Sequence, residues 1–202
     1  MSDRVAAIVL AGGAARRMGG GDKPLLTVGS RSILAHILDL LDPAAFVGRA
    51  IVANGDPARF AAFGLPVIDD GAFAGQGPLA GILAGMIWAR GLGADAVMSI
   101  PGDTPFAPTD LLAALTPAPA CSATLGQAHH LVALWPVREA ERLRALLSTP
   151  GPRHVARFAE AIGMRQVDFP VGKWDPFTNI NSPADLMQAR ALADQAFTKG
   201  RS

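Results

Sequence analysis

Short apolar runs alternate with segments of helical periodicity through the first two thirds of this 202-residue chain. Four mainly apolar runs have the length and bounding residues of buried strands, at 5–10, 50–53, 65–68 and 95–100. Four other segments are typical of helices, at 32–41, 57–63, 78–89 and 108–115. This alternation predicts an α/β fold with a mostly parallel sheet and right-handed crossovers.

The last third of the chain has a different pattern. Around Gly126-Gln127, the segments 122–125 and 131–135 predict a pair of neighbouring strands. Helices are predicted over 138–147, 153–162 and 183–197, with a further strand at 164–169. No internal repeat is present.

Composition narrows the class of protein and its compartment. Half of the residues are apolar and 17% are charged, which allows a substantial core in one domain. The net charge of +1 gives no basic surplus to favour a nucleic-acid partner. The single cysteine, Cys121, excludes an internal disulfide framework and fits a reducing compartment. With neither a membrane-spanning run nor a signal peptide, the sequence predicts a cytoplasmic protein that does not bind membranes.

The first apolar run opens into a glycine-rich segment, LAGGAARRMGGGDK, from Leu10 to Lys23. Glycine lets a backbone approach a ligand closely, and successive N–H groups in such a loop form an anion-binding nest. Arg16, Arg17 and Lys23 add positive charge, although neither a Walker A nor a GxGxxG pattern is present here. The segment therefore predicts polyphosphate binding, and the alternative is a surface turn with solvated arginines.

Polar side chains also follow three of the later predicted strands. Asp103 comes three residues after the run that ends at Ile100, and carboxylates at such strand ends lie in the ligand crevice of an open sheet. Mg²⁺ typically takes one or two carboxylates plus substrate phosphates, so Asp103 is the predicted metal ligand. Its alternative role is to form an Asx turn. Asn54 and Asp70 are further candidates, with Asp69 as the fallback for Asp70 and a turn as the alternative for Asn54.

The order LAGG-x-x-x-RMGG-x-DK-x-L resembles the signature loop of the molybdenum cofactor guanylyltransferases, which belong to the nucleotidyltransferases. The resemblance runs from Val5 to about Leu186 and includes the PGDTPF, GPLAG and NINSP segments. It implies a Rossmann-like nucleotidyltransferase fold, with three α/β/α layers around a mostly parallel central sheet. It also implies one domain over 1–202, with a nucleotide-binding part at about 1–115 and a pterin-substrate part at about 116–195.

The resemblance assigns roles to individual residues. Nucleotide contacts are implied for Leu10, Ala11, Gly12, Gly13, Lys23, Asn54, Asp70 and Asp103. Catalytic roles are implied for Lys23, Asp103 and Arg17, with Mg²⁺ held by Asp103. Contacts to the pterin substrate are implied for Arg153, Asn179 and Asn181. The chain departs from the family pattern at Val52, where an asparagine is usual, and at His130, where HP-x-x-AL has its proline.

The implied reaction is Mg²⁺-dependent transfer of GMP from GTP to molybdopterin carrying molybdenum, with release of pyrophosphate. The implied partners are those two substrates, together with transient contact with molybdenum cofactor insertion proteins or acceptor apoenzymes. Two alternatives stay open at this point. One is a CTP-dependent molybdenum cofactor cytidylyltransferase or another nucleotidyltransferase, and the other is a non-catalytic protein that binds or delivers the cofactor.

Overall fold

The computed structural model describes residues 4–12 and 22–199, with side chains described as far as Leu192. The strands of these residues are β1 (Val5–Leu10), β2 (Thr27–Val28), β3 (Arg31–Ser32), β4 (Arg49–Val52), β5 (Val67–Ile68), β6 (Ala96–Pro101), β7 (Ala120–Thr124), β8 (Gln127–Pro136) and β9 (Arg165–Asp168). The α-helices are α1 (Ile33–Leu40), α2 (Pro78–Gly91), α3 (Leu111–Leu115), α4 (Ala140–Ser148), α5 (Val155–Ala161) and α6 (Pro183–Lys199). No helix among the described residues has the length and apolar character needed to cross a membrane.

Seven of these strands form one sheet in the order β5-β4-β1-β6-β8-β7-β9, and β2 and β3 pair separately as a short hairpin. Strands β5, β4, β1 and β6 are parallel, as are β7 and β9. Strand β8 is antiparallel to both of its neighbours, β6 and β7. The prediction of a mostly parallel central sheet is therefore confirmed.

Helices pack on both faces of this sheet because successive strand residues point to opposite sides. In β1, Ala7 and Val9 join the core that contains Ile33 and Leu34 of α1. Ala6 and Ile8 of the same strand belong to the core on the other face, which contains residues of α2, α4 and α5. The result is the three-layer α/β/α arrangement that was predicted.

Several predicted element limits were wrong. The helix predicted over 108–115 begins only at Leu111. The limits of the short helix predicted over 57–63 are confirmed, and this helix is of the 3₁₀ type. The helices predicted from 138 and 153 begin at Ala140 and Val155, the first after a 3₁₀ turn at Val137–Glu139. The hairpin of β2 and β3 was not predicted, because two-residue strands carry too little periodicity to detect.

Strand β8 contains an irregularity that matters for the site. Cys121 of β7 pairs with Ala133 of β8, whereas the next residue, Ser122, pairs with His129. Residues 130–132 thus leave the ladder as a β-bulge, a device that re-aims side chains beside functional sites. The buried Ser99 fixes this bulge, since its Oγ donates to Leu131 O at 2.8 Å and accepts from Trp135 Nε1 at 2.9 Å.

Candidate nucleotide-binding site

A cleft of about 590 Å³ lies at the carboxyl ends of β1, β4 and β6 and reaches the bulge of β8 and the start of α2. Open α/β sheets bind ligands at this edge. Eight of the predicted site residues line it: Leu10, Ala11, Gly12, Lys23, Asn54, Asp70, Asp103 and Asn179. Two others, Gly13 and Arg17, lie outside the described residues.

The corner after β6 sits directly against the exit of β1. Gly102 N donates to Leu10 O at 2.9 Å. A Cβ atom at position 102 would lie 2.8 Å from Pro24 Cγ and 3.1 Å from Leu10 O, so a side chain has no room there. Glycine therefore permits the close approach that brings Asp103 beside the end of the glycine-rich segment.

Lys23 and Asp103 form an ion pair in the cleft. Lys23 Nζ lies 2.9 Å from Asp103 Oδ2, and the two side chains are 13% and 19% exposed. The same ammonium group donates to Asn181 Oδ1 at 2.6 Å. One lysine therefore joins the predicted metal ligand to a residue that was assigned to the pterin side.

The segment 179–181 is held on the Asp103 corner by further hydrogen bonds. Ile180 N donates to Asp103 O at 3.0 Å, and the buried Thr104 donates through Oγ1 to Asn179 Oδ1 at 2.8 Å. Asn179 thus lines the cleft, whereas Asn181 reaches it through Lys23.

Asn54 and Asp70 form a reciprocal pair on the other side of the cleft. Asn54 Nδ2 donates to Asp70 Oδ2 at 2.7 Å, and Asp70 N donates to Asn54 Oδ1 at 3.0 Å. Asp69, the fallback candidate, instead accepts from Gly71 N at 2.7 Å in a local turn. The structure therefore places Asp70, rather than Asp69, in the lining of the cleft.

Arg59 connects this pair to the end of the glycine-rich segment, a role that sequence reasoning missed. Its Nη2 donates to Asn54 O at 2.6 Å, and its Nε lies 3.0 Å from Asp22 Oδ2. Asp22 directly precedes Lys23, so this arginine links the Asn54 side of the cleft to the end of the glycine-rich segment. An arginine within a short 3₁₀ segment carries no sequence signal for such a role.

Arg153 lies outside the cleft lining, and its guanidinium is occupied elsewhere. Nη2 donates to the carbonyls of Leu147 and Thr149, at 3.0 and 2.6 Å, where α4 ends. Nε donates to Gln76 Oε1 at 3.0 Å, in the loop that precedes α2. The side chain therefore binds the end of one helix to the approach of another, and its contact with a pterin stays a prediction.

Two adjacent histidines line the cleft and were not among the predicted site residues. His129 Nε2 lies 2.6 Å from Thr124 Oγ1 and 3.8 Å from Asp175 Oδ2, and its ring packs against Phe177 with centroids 5.0 Å apart. Burial lowers the pKa of His129, and the carboxylate of Asp175 opposes part of that shift. The only available signal was the HP-x-x-AL resemblance of this segment.

The residues of the cleft fit a divalent cation in one particular way. Within the described part of the chain, no group of three or more His, Cys, Asp or Glu side chains is placed to hold a metal. Of the two carboxylates in the described lining of the cleft, Asp70 and Asp103, it is Asp103 that lies next to the ammonium group of Lys23. That donor set suits Mg²⁺, which commonly binds through one or two carboxylates together with substrate phosphates and water.

An open α/β sheet with these groups at its carboxyl edge defines the class as a nucleotide-binding α/β protein. Residues 7–165 match the family described as the MobA-like NTP transferase domain. A molybdenum cofactor guanylyltransferase of Acidiphilium cryptum is 53% identical over 92% of this chain and 93% of its own. One from Rhodopseudomonas palustris is 45% identical over 93% of each chain. The chain belongs to the molybdenum cofactor guanylyltransferase family.

Solved structures agree at the level of the fold. Molybdopterin-guanine dinucleotide biosynthesis protein A from Archaeoglobus fulgidus superimposes with a TM-score of 0.69 at 20% identity. The match covers 94% of this chain and 99% of that one. The predicted Rossmann-like nucleotidyltransferase fold is confirmed.

Proposed function

We propose that the protein transfers GMP from GTP to the terminal phosphate of molybdopterin carrying molybdenum, with release of pyrophosphate. The observation that carries the proposal is the family's glycine-rich segment ending in Lys23, which is ion-paired with Asp103 in the cleft. The relatives named as molybdenum cofactor guanylyltransferases support the choice of reaction. The single cysteine and the nucleotide substrate support a cytoplasmic location.

In the proposed reaction, an oxygen of the acceptor phosphate forms a bond to the α-phosphorus of GTP as the bond to the β-phosphate oxygen breaks. Both reactants are anionic, so positioning and neutralisation of charge dominate the barrier. The acceptor phosphate is already ionised, so no general base is required. Lys23 would hold the departing pyrophosphate, and Arg17 is proposed for the same role from the motif.

Asp103 would hold the divalent cation, which we propose to be Mg²⁺. Bound there with the substrate phosphates, such a cation supplies charge neutralisation as a Lewis acid. Within the chain itself, Asn54 and Asp70 would position the nucleotide over β1 and β4. Asn179 and Asn181 would receive the acceptor on the far side of the Asp103 corner.

One observation favours a second candidate, a transferase that prefers CTP. Val52 lines the cleft where the resembling family pattern has an asparagine. A valine side chain forms no hydrogen bond, so guanine recognition has one polar group fewer. The variant Val52→Asn should raise the preference for GTP over CTP if the base lies against this position.

The test measures pyrophosphate release from GTP, CTP and ATP, each with Mg²⁺ and molybdenum-loaded molybdopterin, with mass spectrometry of the product. Release with GTP alone is the expected result. Release with CTP alone would assign the cytidylyl reaction instead. Absence of release with all three nucleotides would overturn transfer and leave cofactor binding or delivery.

A further inference from the structure

His130 faces the cleft from the bulge of β8 and differs from its neighbour in one respect. His129 is engaged by Thr124, Asp175 and Phe177. His130 is partly buried, but its ring nitrogens have no hydrogen-bond partner among the residues that the structure describes. A partly desolvated polar group without a protein partner, in the wall of a binding cleft, is a group that a ligand can satisfy.

The order of strands in the sheet indicates which substrate would lie next to His130. Strand β8 lies on the far side of β6 from β1 and β4. The glycine-rich segment, Asn54 and Asp70 occupy the β1–β4 side, and the Lys23–Asp103 pair stands at the boundary. If the nucleotide binds over β1 and β4, the acceptor substrate lies against β8.

The backbone at His130 is held in place before any ligand arrives. The carbonyl of the next residue, Leu131, accepts from the buried Ser99 hydroxyl, which in turn accepts from Trp135. A binding group on such a rigid support loses little entropy when it forms a hydrogen bond. The corresponding position of the HP-x-x-AL pattern is a proline, which offers no side-chain donor or acceptor.

The chemistry of the ring favours a neutral partner. Burial, and then the neighbouring His129, lower the pKa of His130, so the ring is uncharged at neutral pH. A neutral imidazole presents one N–H donor and one nitrogen acceptor. The polar edge of a fused heteroaromatic ring offers matching acceptors and donors, and the buried ring of Phe177 supplies an apolar surface in the same wall.

We propose that His130 is a specificity residue that hydrogen-bonds the polar edge of the heteroaromatic part of the acceptor substrate. This inference rests on the proposed function, because it takes the acceptor to be a pterin phosphate. It assigns to this chain a contact that a proline at the same position cannot make.

The test compares His130→Ala, His130→Pro and His130→Gln with the wild type, with each substrate varied in turn. The KM for the acceptor should rise about 3- to 30-fold in the alanine and proline variants, as expected for one or two lost hydrogen bonds. The KM for GTP should stay within about twofold, since the lost contact is to the acceptor alone. The glutamine variant should recover most of the affinity, because an amide also donates and accepts. His154→Ala, an exposed histidine outside the cleft lining, is the matched control.

An unchanged KM for the acceptor in both the alanine and proline variants would overturn the inference, as would an equal rise in the KM values of both substrates. A binding experiment with molybdenum-loaded molybdopterin and no nucleotide, monitored by tryptophan fluorescence, separates the role of His130 from the proposed function. If the wild type binds the acceptor yet releases no pyrophosphate with any nucleotide, the transfer reaction fails. The role of His130 is then decided by whether His130→Ala weakens that binding.

Discussion

Lys23 and Asp103, 80 positions apart in the chain, meet as an ion pair with an Nζ–Oδ2 distance of 2.9 Å. Each charge of the pair compensates the other. A charge without a partner in such a partly buried place would destabilise the protein. A triphosphate with its cation can replace both partners at once, because the ammonium can turn to the phosphates and the carboxylate to the metal. In the proposed function, the ion pair would therefore keep both charged groups ready for the substrate without a large cost to the folded state.

Removal of the Asp103 charge should abolish most of the activity. In Asp103→Asn, the amide oxygen can still accept from Lys23, so the fold and the melting temperature should change little. The value of kcat/KM should fall by at least about 100-fold, as happens when a charge-stabilising group is lost, and added Mg²⁺ should no longer stimulate turnover. Asp168→Asn, an exposed carboxylate on β9, is the control. Activity near that of the wild type would remove Asp103 from the metal site.

Asp70 and Asp69 should behave differently despite being neighbours. Asp70→Ala removes the acceptor for Asn54 and a charge from the cleft, and should raise the KM for GTP by about tenfold, the equivalent of one charged hydrogen bond. Asp69→Ala removes only a turn contact to Gly71 and should leave that KM unchanged. Steady-state kinetics of both variants test this, and a larger effect at Asp69 would reverse the assignment.

Ser99→Ala should destabilise the protein and loosen the bulge of β8. The substitution leaves Trp135 Nε1 without an acceptor in a fully buried position, and it removes the donor of the partly buried Leu131 O. Unsatisfied buried groups cost about 1–3 kcal/mol, so the free energy of unfolding from urea denaturation should fall by that amount. Ser148→Ala, which removes an exposed hydroxyl on α4, should change it by less than about 0.5 kcal/mol. Equal stability of the two variants would contradict the role given to Ser99.

Stability should decrease on acidification because of the two cleft histidines. Burial holds the pKa of each below the ordinary value of 6.5, although Asp175 opposes this at His129. Below that value, the unfolded chain takes up protons before the folded protein does, so the free energy of unfolding falls. The melting temperature should therefore drop between about pH 7.5 and about pH 5.5, and the drop should be smaller in a His129→Gln, His130→Gln double variant. A drop of the same size in the double variant would assign the effect to other groups.

Much of the proposed nucleotide side of the cleft could be predicted from sequence. An apolar run that ends in glycines is typical of a strand that opens into a loop. A carboxylate just beyond another such run must reach the same edge if the strands are parallel. Lys23 and Asp103 meet because β1 and β6 are adjacent and parallel.

The proposed acceptor side of the cleft was harder to predict from sequence, for three separate reasons. The contact between Lys23 and Asn181 spans 158 positions, and no local pattern encodes it. Arg153 donates hydrogen bonds to carbonyls at the end of α4. The spacing of residues in the sequence does not distinguish this structural role from substrate binding. The bulge of β8 is a change of register against β7 and depends on which neighbours each half of β8 has. Alternation within β8 alone cannot specify it.

Strand β8 thus has two halves with separable duties, and this suggests how the protein could be retargeted. Residues 133–136 pair with β6, so mutations there would destabilise the protein. Residues 129–132 form one wall of the cleft. A library confined to codons 130–132, which lie outside this strand pairing, could explore new phosphate acceptors by directed evolution while the paired residues of the sheet stay untouched.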